Sequence, residues 1–277
     1  MPELPEVETI ARSLRQPAGT AVGQRRAAGL PGRILTGAAL TWARTLAAPA
    51  AGELSPRLAG QSVQQVGRRG KFLVITLSQD TLLIHLRMSG DLRLENNDGA
   101  LQTHDRLALY FADGDRLVFN DPRKFGRAWL LADPLPVLGK LGPEPLEAGF
   151  DAARLYQRLR ARHRRLKPLL LDQTFLAGLG NIYTDEALNL ARLHPLRLSD
   201  DVSAEAAERL WLAIRTVLEE GIRRNGASID WVYRGGSFQN TFRVYQRTGQ
   251  PCPGCGSAVV RTLVGQRGTH YCPVCQE

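Results

Sequence analysis

No stretch of this 277-residue chain approaches the roughly 20 consecutive apolar residues that span a bilayer. Glu3, Glu6 and Glu8 crowd a start where a signal peptide would carry positive charge. A membrane or secreted protein is therefore not expected, and the reading points to an intracellular one. Aromatic residues are few, at 6%, yet hydrophobic residues reach 43%, enough to build one large core or two ordinary ones. Lysine is scarce: only Lys71, Lys124, Lys140 and Lys167 stand among 36 basic residues, so arginine carries nearly all the positive charge. Methionine is scarcer, with Met88 alone besides Met1. There is no internal repeat and no low-complexity tract. What is present is a surplus of 36 Lys+Arg over 27 Asp+Glu, a net charge of +9, which favours a polyanionic partner. Nucleic acid is the commonest soluble one.

The pattern changes character along the chain. Leu4 to Arg15 reads as a helix, with Pro5 in its first turn and Val7, Ile10 and Leu14 on one face, ended by Pro17 and Gly19. From Ile34 to Leu131 short β-branched and leucine-rich runs alternate with turns. Phe72–Leu77 and Leu82–Leu86 have the apolar character of strands buried in a sandwich, and Asp113-Gly114 marks a two-residue hairpin. Residues 134–150, rich in proline and glycine, read as a linker. Helices are expected over Asp151–Arg162, Lys167–Leu171, Gly180–Leu190 and Ser203–Arg224, the last capped by Ser203. The expected class is α+β: an N-terminal β-sandwich with a flanking helix (1–133), then a helical domain (151–240) and a small module (241–277).

That module holds all four cysteines, as Cys252-Pro-Gly-Cys255 and Cys272-Pro-Val-Cys275. Two C-x-x-C pairs sixteen residues apart fit a four-thiolate zinc site, closed and therefore structural. Two disulfides are the alternative, disfavoured in an intracellular chain. Between the pairs, Val259 to Tyr271 reads as a hairpin around Gly265-Gln-Arg-Gly268, with Arg267 at its tip.

The opening Met1-Pro2-Glu3-Leu4-Pro5-Glu6 offers a chemical site if Met1 is removed. Proline then supplies a secondary amine, which is partly neutral near pH 7 and able to form an iminium with a sugar C1′. Glu3 could act as general acid or base beside it. Taken alone, the stretch reads better as a helix lead-in. It does not stand alone. Pro2-Glu3-Leu4-Pro5-Glu6-Val7-Glu8-Thr9, together with the cysteine module, resembles the formamidopyrimidine-DNA glycosylase family. The resemblance continues through Gly70-Lys71-Phe72-Leu73, His85-Leu86-Arg87-Met88-Ser89-Gly90 and Asp121-Pro122-Arg123-Lys124-Phe125-Gly126. It extends through Leu141-Gly142-Pro143-Glu144-Pro145-Leu146 and Gly178-Leu179-Gly180-Asn181-Ile182-Tyr183.

The resemblance implies a bifunctional glycosylase and lyase that removes oxidised purines from double-stranded DNA. It implies a helix–two-turn–helix domain ending in a zinc-finger hairpin with one structural Zn2+, and a monomer working on the bacterial nucleoid in the cytoplasm. Pro2 would be the Schiff-base nucleophile, Glu3 its acid/base partner and Lys71 the lysine reaching the damaged nucleotide, where a solvated charge is the plainer reading. Arg68 and Arg69 read as solvated charges or nonspecific phosphate contacts. Base flipping leaves a gap to fill. Met88 would occupy it, Phe125 would stack, and Arg123 would bond the orphaned base; for Phe125 alone, a core position is the competing reading. His85, Lys167, Asn181 and Arg267 would contact phosphates, with Asn181 equally readable as a helix cap and Tyr183 as packing. Tyr233 to Asn240 resembles the segment that covers the extruded base. Two positions depart from the family: Arg87 stands where glycine is common, and Lys124 where a second arginine is. Two other readings remain open, a related endonuclease VIII-like enzyme acting on oxidised pyrimidines and a non-catalytic zinc-finger protein that binds damage.

Overall fold

The computed structural model describes residues 1–15, 29–228 and 235–277. The described residues divide into two compact units: 1–2, 6–15 and 29–139 in the first, and 3–5, 140–228 and 235–277 in the second. The expected helix stop at Pro17 and Gly19 lies outside the described residues, as do Tyr233 and Arg234 of the expected base-covering segment.

The first unit is a sandwich of two sheets. Its elements in chain order are α1 (Leu4–Arg15), β1 (Leu35–Leu40), β2 (Leu46–Ala48), α2 (Ala51–Leu58), β3 (Val63–Arg69), β4 (Phe72–Leu77) and β5 (Thr81–His85). β6 (Asp91–Asn96), β7 (Asp105–Phe111), β8 (Asp115–Asn120), β9 (Arg127–Leu131) and the short α3 (Leu135–Leu138) complete it. One sheet runs β1-β7-β8-β6 and the other β2-β9-β5-β4-β3, antiparallel except for β2 with β9. A single apolar cluster joins them, with Leu107, Leu109 and Phe119 from one sheet and Leu73, Ile75 and Ile84 from the other. Val7, Ile10, Ala11 and Leu14 of α1 enter the same cluster, so the 3.6-residue apolar stripe of that helix is what seats it. β4 alternates half-buried and buried positions, while every residue of the central β5 is buried. The Asp113-Gly114 turn spans three residues, not two. Gly114 adopts φ +89° and its N–H donates to Phe111 O at 3.2 Å, as a longer hairpin loop ending in a left-handed glycine does.

The second unit contains α4 (Ala152–Arg160), α5 (Leu166–Leu171), α6 (Asn181–Ala191), α7 (Ala204–Arg223) and the hairpin β10 (Val260–Val264) with β11 (Arg267–Tyr271). Side chains start two of these helices. Asp151 accepts from Arg154 N at 2.8 Å ahead of α4, and Ser203 accepts from Ala206 N at 3.2 Å ahead of α7. Leu155, Leu169, Leu188, Leu210 and Ile214 share one core. The β10–β11 turn is Gly265-Gln266, both at positive φ (+55° and +62°), the mirror-type turn that two-residue hairpins favour. Arg267 is therefore the first paired residue of β11, opposite Val264, not the tip itself.

Candidate functional site

In the first unit the expected residues cluster at strand ends and turns. Gly70, at φ +56°, and Lys71 form the two-residue turn between β3 and β4, where Arg69 pairs with Phe72. Lys71 is not the solvated charge that a strand start suggests, since it is only 5% exposed. Neither is Arg68. Its side chain is largely buried, with Nε donating to Glu8 at 3.1 Å and Nη1 to Gly70 O at 3.3 Å. Arg68 thus ties the turn carrying Lys71 to α1.

His85 ends β5, buried, with its ring edge-on to Phe72. Its Nδ1 accepts from the Arg87 N–H at 3.1 Å, which places the proton of the neutral ring on Nε2. Burial first, then the nearby charges of Arg87 and Lys71, push its pKa down to about 3. At neutral pH it is an uncharged donor, not a cation. The unfolded imidazole binds a proton near pH 6.5 but the folded one does not until about 3, so stability is lost as pH falls through that window. Melting curves should show His85→Gln flattening the decline in Tm below about pH 6.5. A decline parallel to the wild type would contradict a buried neutral His85.

Met88 sits half-buried in the turn after β5. Arg87 before it is exposed at φ +55°, a left-handed conformation that costs a non-glycine residue about 1 kcal/mol. Glycine would adopt that conformation without the cost. Lys124, the other departure, is also left-handed at φ +61°, and its Nζ lies 4.1 Å from the centre of the Trp42 ring. Phe125 is 51% exposed, which rules out the core reading. The Arg123 guanidinium lies 5.1 Å from its ring centre.

In the second unit, Glu3 is 2% exposed and its carboxylate caps α6 from outside the helix. Oε2 accepts from Gly180 N at 2.6 Å and Oε1 from Ile182 N at 3.0 Å, satisfying N–H groups that a helix start leaves unpaired. Gly180 has to be glycine here, because a β-carbon would overlap the Glu3 carboxyl group. Asn181 is therefore not the cap. Gly180 precedes the helix, and Asn181 Nδ2 donates instead to Gly268 O at 2.9 Å.

Lys167, expected at a phosphate, is fully buried. Its Nζ bonds Asp185 Oδ1 at 2.6 Å and Gly268 O at 3.0 Å. Burial holds its ammonium below the ordinary lysine range, against the opposing pull of Asp185. The other Asp185 oxygen accepts from His270 N at 2.9 Å. Lys167, Asp185 and Asn181 thus dock β11 on α5 and α6, beside an exposed Arg267. Glu186 accepts from the backbone N–H groups of Arg243, Val244 and Tyr245, at 2.7–3.0 Å. Neither acid was singled out in the sequence. Both lie adjacent in a helix that is buried on nearly every side. Tyr183 is packing: it is fully buried and stacked on Phe238 at 4.9 Å. Phe238, within the expected base-covering segment, is itself a core residue.

The four cysteine sulfurs lie within 4.8 Å of one another, with Cys252–Cys275 at 4.0 Å and Cys255–Cys272 at 3.5 Å. Tetrahedral zinc with bonds of about 2.3 Å needs sulfurs about 3.8 Å apart, so the donor set fits it. The N–H of Gly254 points to Cys252 Sγ and that of Cys275 to Cys272 Sγ, both at 3.4 Å, and these bonds support thiolate ligands.

Comparison with known proteins agrees over the whole length. Residues 1–128 match the formamidopyrimidine-DNA glycosylase N-terminal domain, 141–232 its H2TH domain, and 249–277 the zinc finger found in FPG and IleRS. The formamidopyrimidine-DNA glycosylases of Chloroflexus aurantiacus and Pelotomaculum thermopropionicum are 45% and 42% identical, covering all of this chain and 98% and 99% of their own. Among solved structures, Lactococcus lactis Fpg with Fapy-dG DNA has a TM-score of 0.88 at 36% identity, covering 99% of this chain and 100% of that one. The same enzyme with abasic-site DNA matches at 0.88 and 36%, with full coverage of both chains. Three consecutive domain matches and relatives above 40% identity leave one assignment: the chain belongs to the formamidopyrimidine-DNA glycosylase family.

Proposed function

We propose that the protein is a base-excision-repair glycosylase and lyase that removes oxidised purines, formamidopyrimidines and 8-oxoguanine, from duplex DNA. It works as a monomer in the cytoplasm, on the nucleoid. In this reading the amine of Pro2, freed by loss of Met1, attacks C1′ of the flipped nucleotide. The C1′–N bond to the base breaks and the base leaves with a proton; the C1′–O4′ bond then opens, O4′ takes a proton, and the sugar remains joined to the protein as an iminium. Loss of a C2′ proton then expels the 3′ phosphate, and a second elimination expels the 5′ phosphate. Glu3 handles protons on the opening sugar, and Lys71 reaches the lesion nucleotide. Met88, Arg123 and Phe125 fill and read the gap. His85, Asn181 and Arg267 face phosphates, while Lys167 acts from inside by seating the hairpin that carries Arg267. Zinc supplies no chemistry here. It gives that hairpin its shape.

The observation that carries this reading is the state of Glu3. A residue so near the terminus would ordinarily fray, yet this one is buried and bonded to two backbone N–H groups of α6. A fixed carboxylate one residue from the amine is what acid/base work on an N-terminal nucleophile requires. A strand-nicking assay tests the substrate class, using duplexes with 8-oxoguanine opposite cytosine, an oxidised pyrimidine, or no lesion. The oxidised pyrimidine belongs in the set because one similar solved structure, Lactococcus lactis Fpg, was determined with DNA containing one. Preferential nicking of the 8-oxoguanine duplex to a one-nucleotide gap is expected. Preference for the pyrimidine would move the protein to the endonuclease VIII-like activity.

A further inference from the structure

We propose that Asp121 and Ser89 are positioning residues that lock the Met88 turn and the Arg123–Phe125 turn into one wedge. Filling the vacated base position and reading the orphaned base then happen as one event. This rests on Met88, Arg123 and Phe125 forming the wedge.

The two turns are far apart in sequence but share one buried foundation. Asp121 is 1% exposed and Ser89 2%. The backbone of Asp121 is fixed on both sides, its N–H donating to His104 O at 2.9 Å and its carbonyl accepting from Arg106 Nε at 2.8 Å. Its carboxylate serves both turns. Oδ2 accepts from Gly126 N at 2.7 Å, and Oδ1 accepts from Arg123 N at 3.2 Å and from the Ser89 hydroxyl. The Ser89 oxygen in turn accepts from Arg123 N at 3.3 Å. The N–H of the base-reading arginine is therefore held by one residue from each turn. The last residue of each turn also meets the same ring. A β-carbon on Gly90 would lie 2.6 Å from Phe119 Cε2, and one on Gly126 would overlap Phe119 Cζ. The buried Phe119 thus fits between the ends of both turns.

Each turn also carries a left-handed non-glycine residue beside a wedge side chain, Arg87 next to Met88 and Lys124 next to Phe125. Such conformations persist where the surroundings over-determine them, and the Asp121–Ser89–Phe119 foundation does so here. A wedge held this way before DNA arrives loses little conformational freedom on insertion. It also leaves Met88 and Arg123 energetically coupled although none of the bonds in the foundation involves their side chains.

A double-mutant cycle on single-turnover excision of 8-oxoguanine opposite cytosine tests this. Met88→Ala, Arg123→Ala and the pair are compared in the wild-type background and again with Ser89→Ala; the cycle isolates coupling from any general loss of stability. The expected result is non-additivity of about fivefold or more in the wild-type background, falling to about additive with Ser89→Ala. Asp121→Asn, which keeps an acceptor oxygen, should retain part of the coupling. Additive effects in the wild-type background, or coupling that survives Ser89→Ala, would overturn the proposal while leaving the glycosylase reading intact. Single variants without any effect on duplex substrate would instead overturn the wedge reading, and the proposal with it.

Discussion

Glu3→Gln lowers excision of 8-oxoguanine by roughly 10²- to 10⁴-fold, the usual worth of a positioned acid/base group, while the chain still folds. The two effects separate because Glu3 is read in two roles. As a cap it accepts from Gly180 N and Ile182 N, and the amide oxygen of glutamine can keep one of those bonds. The other N–H then faces an amide donor, which costs about 1–3 kcal/mol. As the group beside the amine it loses its ability to exchange a proton entirely. Single-turnover excision measured alongside a melting curve distinguishes them. A rate within a few-fold of wild type, with Tm lowered, would make Glu3 a cap and nothing more.

Removing zinc, by chelation or by Cys272→Ser, abolishes the ordered hairpin and with it tight binding to lesion duplex. Among the described residues, the apolar cluster beneath the four cysteines contains Val244, Cys252, Val259 and Cys272, with Cys275 against it. A core this small cannot fold by itself, and a structural zinc supplies about 10 kcal/mol in such modules. The loss propagates to the docking bonds, because Lys167 and Asn181 both donate to Gly268 on β11. DNA affinity is expected to fall roughly tenfold or more, because the phosphate contact proposed for Arg267 is lost once its strand is disordered. Helical circular dichroism should change little, since α4 to α7 share a separate core. Unchanged binding after verified metal loss would contradict the hairpin's assigned part in holding DNA.

What the sequence made legible was local. The Ser203 cap, the amphipathic stripe of α1 and the knuckle spacing of the cysteines each depend on residues a few positions apart, and each left a readable signature. Lys71, Met88 and Arg123 were marked by scarcity and motif, which named them without showing how they are held. What stayed hidden was buried polar chemistry between distant positions. Lys167 was placed at a phosphate by the family resemblance, and a fully buried lysine is rare enough that nothing local pointed elsewhere. Its partners, Asp185 and Gly268, lie 18 and 101 residues away. Glu3 capping a helix 177 residues on, and Asp121 joining two turns, left no periodic trace either. The sandwich character was readable from short apolar runs, but the pairing of β1 with β7 and β2 with β9 was not, because it depends on non-local register.

A nucleophilic N-terminal amine can be caught in the act by borohydride, which reduces the iminium to a stable bond. The chain, shown by intact mass to lack Met1, is incubated with 8-oxoguanine duplex and borohydride, beside a form that retains Met1 and a Pro2→Gly variant. A covalent protein–DNA adduct mapped to Pro2 is expected from the processed chain, none from the form retaining Met1, and a much lower yield from Pro2→Gly, whose glycine offers a primary amine in place of the proline ring nitrogen. An adduct of equal yield from the form retaining Met1, or one mapped to Lys71, would contradict Pro2 as the nucleophile.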